Sequence, residues 1–526
     1  MPPICKPALI ALLSLAAFIP LSWAMAQPVT VQSGAIEGVR DGPLVVYKGV
    51  PFAAPPVGPL RWREPQPPAS WAGVRRADAF APACIQSGVS MPGETPPTTS
   101  EDCLYLNVWA PAEAKKLPVI VWIYGGGFFN GSASMPLYWG DRLARRGAII
   151  VTIGHRVGPF GFLAHPELTA ESPHHSSGNY GFLDQIAALK WVQRNIAAFG
   201  GDPGRVTIAG QSAGAASVSI LMASPLAKGL FQRAIGESGG MFEPLQLAPA
   251  YQLGSAERDG VAYGRSVGAS SLAQLRALPA AALLNGKAGE ISHPVVEPYV
   301  LPRSPYDVFA AGEQNDVAIL IGSNADEARS LIPDLASVRA ATFDADIAKR
   351  WGALPPPLLA AYPHATDAEA VRGRLDFERD LRFGWDIWAW ARLQAMHGEG
   401  RVFYYQFTHA PPFPKASVYS GWGPSHFSEL WYSFDHLGQE PSWAWTADDR
   451  ALSDAMAGYW VNFARDGDPN GPRLVAWPRY TISDPRVMVL DEPLRAGPLT
   501  TLKTLAVFDA VYTQVRGAPF GSAPRP

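Results

Sequence analysis

A serine set between two glycines, Gly210-Gln211-Ser212-Ala213-Gly214, is the stretch of this chain best suited to nucleophilic chemistry. A hydroxyl attacks a carbonyl only when a base takes its proton and donors stabilise the oxyanion that forms. Both needs are met when the serine tops a sharp turn between a strand and a helix. Small residues let the chain reverse there, and the helix start aims unpaired N–H groups at the reacting centre. The same G-x-S-x-G spacing occurs at Gly236-Glu237-Ser238-Gly239-Gly240 and at Gly264-Arg265-Ser266-Val267-Gly268. Context separates the three. Val206-Thr207-Ile208-Ala209 reads as an apolar strand before Ser212, and Ala213 to Met222 as a small-residue helix after it. Ser238 follows a brief apolar run and leads into Met241-Phe242-Glu243-Pro244, which starts no helix, while Ser266 sits inside a polar helical segment. Ser212 is the candidate nucleophile; its bland alternative is an ordinary helix cap.

A base and an acid must join it, from loops at the carboxyl ends of parallel strands. In the strand–turn–helix type of serine enzyme the chain order is serine, acid, histidine. That order leaves His364, His397, His409, His426 and His436 as candidate bases, and spacing does not choose among them. Asp326 and Glu327 are the best-placed acids, because they directly follow the apolar run Val317 to Gly322. Gly125-Gly126-Gly127 ends another apolar run, Val119 to Tyr124. Without Cβ atoms these residues can bring backbone N–H groups against a ligand, and with the N–H of Ala213 they would form an oxyanion hole.

The elements that must position these groups follow from hydrophobic periodicity. Strands are expected at Leu104 to Val108, Val119 to Tyr124, Ala148 to Ile153, Val317 to Gly322, Val402 to Phe407 and Val487 to Leu490. Ile186, Leu189, Val192 and Ile196 recur at helical spacing, which predicts an amphipathic helix over Tyr180 to Phe199. Another helix is expected over Ala451 to Phe463, Pro28 to Tyr47 reads as a small antiparallel start, and Lys48 to Pro65 as a Pro-rich loop. Strands alternating with helices give an α/β protein with a mostly parallel central sheet, helices on both faces and long helical insertions. In the longest insertion Trp385, Trp388 and Trp390 read as core. Without an evident linker or repeat, residues 27–526 read as a single domain.

Residues 1–26 read as a cleavable signal peptide: Lys6, an apolar stretch from Pro7 to Leu21, and the A-x-A-like site Ala24-Met25-Ala26. The mature chain is expected to be exported, to a periplasm or beyond, with no membrane span. Of the cysteines only Cys84 and Cys103 remain after cleavage, and neither lies in a Cys/His cluster, so no metal and no cofactor is expected. A net charge of −3 with no Lys/Arg run argues against a nucleic-acid partner.

Further motifs give these residues a context. They are Val50-Pro51-Phe52-Ala53-Ala54-Pro55-Pro56, Ser100-Glu101-Asp102-Cys103-Leu104-Tyr105-Leu106-Asn107-Val108, Phe199-Gly200-Gly201-Asp202-Pro203 ahead of the serine motif, and Trp460-Val461-Asn462-Phe463-Ala464 with Asp468-Pro469-Asn470. With these, the chain resembles the type-B carboxylesterases, the cholinesterase-like branch of the α/β-hydrolases, from about residue 28 to 480. The resemblance implies the α/β-hydrolase fold and hydrolysis of small-molecule esters through an acyl-enzyme. It implies Ser212 as nucleophile, Glu327 as acid, His426 (in His426-Phe427-Ser428-Glu429-Leu430) as base, and Gly126, Gly127 and Ala213 as oxyanion donors. It also implies a disulfide between Cys84 and Cys103 and a bracing pair, Arg61 with Glu101. Gln211 stands where the family usually has Glu, Phe427 where a small residue is common, and Pro298-Tyr299 alters the approach to Leu301-Pro302. The same fold without a working serine serves binding or adhesion, and the same triad serves amidases and lipases. All three triad positions are filled here, which favours a working hydrolase, and Gln211 together with a Cys84–Cys103 loop free of aromatic residues points to neutral esters of modest size.

Overall fold

The computed structural model describes residues 25–89, 91, 94–284, 288–352 and 354–522. The expected leader lies outside these residues except for Met25 and Ala26; the Ala26 N–H donates to Gly38 O at 2.9 Å.

Eleven strands among the described residues form one sheet: β1 (Val39–Asp41), β2 (Leu44–Pro51), β3 (Tyr105–Pro111), β4 (Leu117–Ile123), β5 (Ile149–Ile153), β6 (Gly201–Gln211), β7 (Arg233–Glu237), β8 (Ala318–Asn324), β9 (Val402–Phe407), β10 (Arg486–Leu490) and β11 (Arg495–Pro498). Their spatial order is β11-β10-β9-β8-β7-β6-β4-β5-β3-β2-β1. From β5 across to β10 every neighbouring pair is parallel, and the two margins are antiparallel. The parallel strands are apolar run after apolar run, and Ile149–Ile153 and Val402–Phe407 are buried at every residue. Strands buried on both sides need cover on both sides, which the crossover helices of a parallel sheet supply.

Three helices bear most directly on the site's surroundings early and late in the chain: α1 (Tyr180–Asn195), α2 (Ala213–Ala223) and α5 (Ala447–Asp466); two more, α3 (Asp367–Arg379) and α4 (Trp385–His397), lie in the long insertion. The expected helix over Tyr180 to Phe199 is realised as α1 followed by a 3-10 turn, Ile196–Phe199, which Gly200 ends in the left-handed region at φ 82°. A capping box, Thr366 with Glu369, starts α3, and Thr446 with Asp449 starts α5. The indole rings of Trp385, Trp388 and Trp390 lie in the core, as their periodicity suggests.

Three features depart from the sequence reading. Strand β2 runs into the Pro-rich stretch as far as Pro51, with Val50 paired to Leu106 and Pro51 to Tyr105. Proline is tolerated at a strand's end, where its missing N–H breaks no later rung. Strand β6 begins at Gly201, before its apolar run, because Gly201 pairs with Leu117 across an irregularity in the ladder. Finally, β11 and the helix α6 (Leu502–Arg516) extend the ordered fold beyond the last expected strand. Arg495-Ala496-Gly497-Pro498 has no apolar alternation to announce a strand.

Candidate active site

Strand β6 delivers Gln211 to the carboxyl edge of the sheet and α2 begins one residue later, so Ser212 alone makes the turn. Its φ of 58° and ψ of −127° lie where side chains are strained, and such strain persists only when the surroundings enforce it. They do. The Ser212 N–H donates to Glu237 O at 2.8 Å, and Ser212 O accepts from Ala216 N at 2.9 Å. Glycines make room on every side. A Cβ on Gly239 would stand 2.2 Å from Ser212 O, one on Gly125 2.9 Å from Ser212 Cβ, and one on Gly214 2.1 Å from Ile123 O. After β4, Gly126 (φ 113°) and Gly127 (φ 61°) adopt backbone that favours glycine, and a Cβ on Gly126 would meet Asn130 O at 2.3 Å.

The five histidines separate cleanly. His364 contacts Tyr362 O at 2.6 Å, His397 contacts Gly521 O at 2.9 Å, His409 bridges Asp449 and Asp491 at 2.8 and 3.3 Å, and His436 lies between Leu137 O and Asp141 at 2.9 and 3.1 Å. His426 meets a candidate acid: its Nδ1 is 2.6 Å from Glu327 Oε2, with both side chains buried. The other carboxylate oxygen of Glu327 accepts from Asn324 N at 2.7 Å, which fixes the acid at the end of β8. Asp326 faces away, its Oδ1 accepting from Arg372 at 2.5 Å. The Gln211 amide nitrogen lies 3.4 and 3.3 Å from Nδ1 and Nε2 of His426, so the imidazole sits beside the residue that precedes Ser212.

The other two serines have different surroundings. Ser238 also directly follows a strand, β7, at φ 55°, but its hydroxyl donates to Glu429 Oε1 at 3.4 Å and no helix begins at it. Ser266 closes the helix Leu253–Ser266, and its hydroxyl donates to Tyr263 O at 2.7 Å. Cys84 and Cys103 are joined by a disulfide. Arg61 forks onto Glu101 at 2.7 and 2.6 Å beside it.

Sequence reasoning overlooked the polar floor of the site. Glu429, three residues beyond His426, accepts from Asn324 Nδ2, and that amide also donates to Ser425 O at 2.8 Å. Burial, then the charges of Glu327 and Glu237, hold the Glu429 carboxyl well above the usual carboxylate range. Burial pushes Glu237, whose Oε1 accepts from Trp460 Nε1 at 2.8 Å, up to about 8. Both shifts favour the uncharged form, which limits the negative charge gathered around the Glu327–His426 pair. The one hint in the sequence was that Glu429 sits three residues beyond His426. An aromatic side chain was missed too: Phe383 stacks on the His426 ring at 4.4 Å between centroids and 17° between planes.

A serine on a strained strand-to-helix turn, with a buried histidine–carboxylate pair at the same sheet edge, defines a hydrolase of the nucleophile-elbow class. Comparison with known proteins narrows this. The model described as "Carboxylesterase family" matches residues 26–505. Fumonisin B1 esterase of Sphingopyxis macrogoltabida is 38% identical over 473 residues, which cover 85% of this chain and 84% of that protein. Para-nitrobenzyl esterase of Bacillus subtilis (strain 168) is 35% identical over 486 residues, covering 89% and 95%. A solved structure of PNB esterase has a TM-score of 0.79 at 33% identity and covers 91% of this chain and 99% of that one. The chain belongs to the carboxylesterase family, as a serine carboxylic ester hydrolase on the α/β-hydrolase fold.

Proposed function

We propose that the protein hydrolyses neutral carboxylic esters of modest size through Ser212, His426 and Glu327, and that it works outside the cytoplasm. The observation that carries this reading is the buried 2.6 Å contact of His426 Nδ1 with Glu327 next to the Ser212 elbow. With Nδ1–H donated to the carboxylate, Nε2 is the ring's acceptor nitrogen and takes the proton of Ser212 Oγ as that oxygen attacks the ester carbonyl. The oxyanion forms against the N–H groups of Gly126, Gly127 and Ala213, each such donor supporting about 10²–10³ in rate. His426 then gives the proton to the leaving alcohol. Water repeats the sequence on the acyl-enzyme and releases the acid. The enzyme returns to its starting state with one ester bond hydrolysed.

Neutral substrates follow from Gln211, which puts an amide where a carboxylate would attract a cation, and from a Cys84–Cys103 loop without an aromatic residue. Export rests on the Ala24-Met25-Ala26 motif and on a disulfide, which suits an oxidising compartment. No helix among the described residues is long and apolar enough to cross a membrane.

The test is Ser212→Ala beside Ser238→Ala and Ser266→Ala. We expect loss of nitrophenyl ester turnover and of fluorophosphonate labelling in the first alone. Near-normal turnover by Ser212→Ala refutes the reading. Intact mass of exported protein should place its start at Gln27.

A further inference from the structure

The helix α3, the turn Asp380–Gly384 and α4 form one continuous helical run, and the turn between them is a π-helix. A single π-turn inside an α-helical run is rare and is frequently found at functional sites. Asp380 is fully buried and pulls three partners onto its carboxylate: Tyr362 OH at 2.9 Å, Thr504 Oγ1 at 2.5 Å and Arg379 Nε at 2.8 Å. Gly384 closes the turn, where a Cβ would stand 3.0 Å from Asp380 Oδ1. The turn extrudes Phe383, which is half-buried and lies flat on the imidazole of His426. Phe427, at φ 75°, packs its ring on the imidazole at 4.4 Å and 59°.

The same run also holds the acid. Arg372 donates to Asp326 at 2.5 Å, Arg379 donates to Ala325 O at 3.4 Å, and Leu375 packs with Ala328 and Ile332. Residues 325–328 carry Glu327 between these anchors. The base and its acid come from loops after different strands, yet one element outside the sheet grips both.

We propose that Phe383 is a positioning residue for the ester hydrolysis, and that the π-turn exists to set its ring on His426 while α3 holds the Glu327 loop. The proposal rests on the assignment of His426 as base. Glu327 holds the imidazole at Nδ1 and the Gln211 amide touches its nitrogens only at 3.4 and 3.3 Å, contacts that leave the tilt of the ring plane to be set by what lies on its faces. A flat ring on one face and a tilted ring near it leave one plane, and Nε2 then stays where a proton of Ser212 can reach it. Small misplacements in such a constellation are expensive: an error of about 1 Å can cost about 10²-fold in rate.

The experiment uses the full mature protein with Phe383→Ala, Phe383→Leu and Phe383→Tyr. We read kcat and KM on a nitrophenyl acyl ester and the second-order rate of fluorophosphonate labelling. Phe383→Leu keeps most of the volume without the ring, so a folding failure of the alanine variant does not remove the test. Expected are a fall in kcat of about 10–100-fold in Phe383→Leu, a parallel fall in labelling rate, and recovery to within about threefold of the parent in Phe383→Tyr, whose ring keeps the stack. A kcat for Phe383→Leu within twofold of the parent overturns the proposal. So does a loss confined to KM, which assigns Phe383 to substrate contact. Near-parent turnover by His426→Ala, in contrast, would overturn the underlying assignment and this proposal with it, whereas a harmless Phe383→Leu beside an inactive His426→Ala overturns this proposal alone.

Discussion

At the scale of single residues, the site depends on which of two adjacent carboxylates meets the imidazole. Glu327 does, and Asp326 instead pairs with Arg372 and, at 3.5 Å, with Arg329. Glu327→Gln should therefore lower kcat by about 10³–10⁴-fold, since the amide cannot hold the imidazolium that forms. Asp326→Asn should cost about tenfold or less, because it loosens a loop anchor without touching the ring. Equal losses from the two, measured as kcat on one ester, would return the acid to the unassigned. Gln211 bears on a second matter, the charge of the substrate. Its amide is buried against His426 and brings no negative charge to the reaction centre. Trp385, Trp388 and Trp390 are committed to the core, so they offer no face to a quaternary ammonium group. A ring face is worth about 0.5–2 kcal/mol to a cation. Without it, kcat/KM for a choline ester should be no higher than for the isostere with carbon in place of the quaternary nitrogen. A clear preference for the charged ester would contradict this reading, and Phe383 would be the aromatic to examine.

At the scale of elements, the site is a set of strand ends, and this decides how much of it the sequence discloses. The apolar runs of β4, β5, β8 and β9 are legible because both faces of each are buried, so hydrophobicity alone marks them. Ser212 is legible because strand, turn and helix are contiguous around it. The histidine is not legible from spacing, because His426 meets Glu327 across 99 residues of chain. Only a family resemblance points to it. Phe383 is harder still: it lies in a π-turn whose Asp380 accepts from Tyr362 and Thr504, which come from elsewhere in the chain. The glycine loop after β4 lies between these cases, as its composition is plain while its need for glycine differs by position. At Gly126 a Cβ would strike the Asn130 carbonyl, which is backbone, whereas at Gly127 it would meet the Phe129 ring, which can turn aside. Gly126→Ala should therefore displace the oxyanion donors and lower kcat by about 10²–10³-fold, and Gly127→Ala should cost less. The comparison is kcat on a nitrophenyl ester with labelling as a second readout; a harmless Gly126→Ala would remove that backbone from the oxyanion hole.

At the scale of the whole molecule, the buried titratable groups around the site should make the stability of the fold depend on pH. His155, stacked on Tyr124 at 4.1 Å, is pushed by burial from 6.5 down to about 3. The unfolded chain then binds a proton that the folded chain refuses between those values, so stability falls as pH drops through that window. Glu237 acts in the opposite sense. Its carboxyl is raised by burial from 4.5 to about 8, so the folded chain keeps a proton that the unfolded chain releases. Stability is therefore fully present below the lower value and declines as pH rises toward the upper one. Each group contributes a slope of up to about 1.4 kcal/mol per pH unit inside its window. Glu429, raised by burial and by the neighbouring carboxylates, reinforces the decline. The two trends oppose each other between about 4.5 and 6.5 and leave the alkaline fall unopposed above that. Glu237→Gln isolates the effect, since the amide oxygen still accepts from Trp460 and no longer has a proton to lose. Between pH 6.5 and 8 the parent protein should lose resistance to urea more steeply than Glu237→Gln, the gap widening toward the upper end. Unfolding midpoints measured at half-unit steps decide the matter, and parallel curves across that interval would mean that Glu237 is not held protonated in the folded protein.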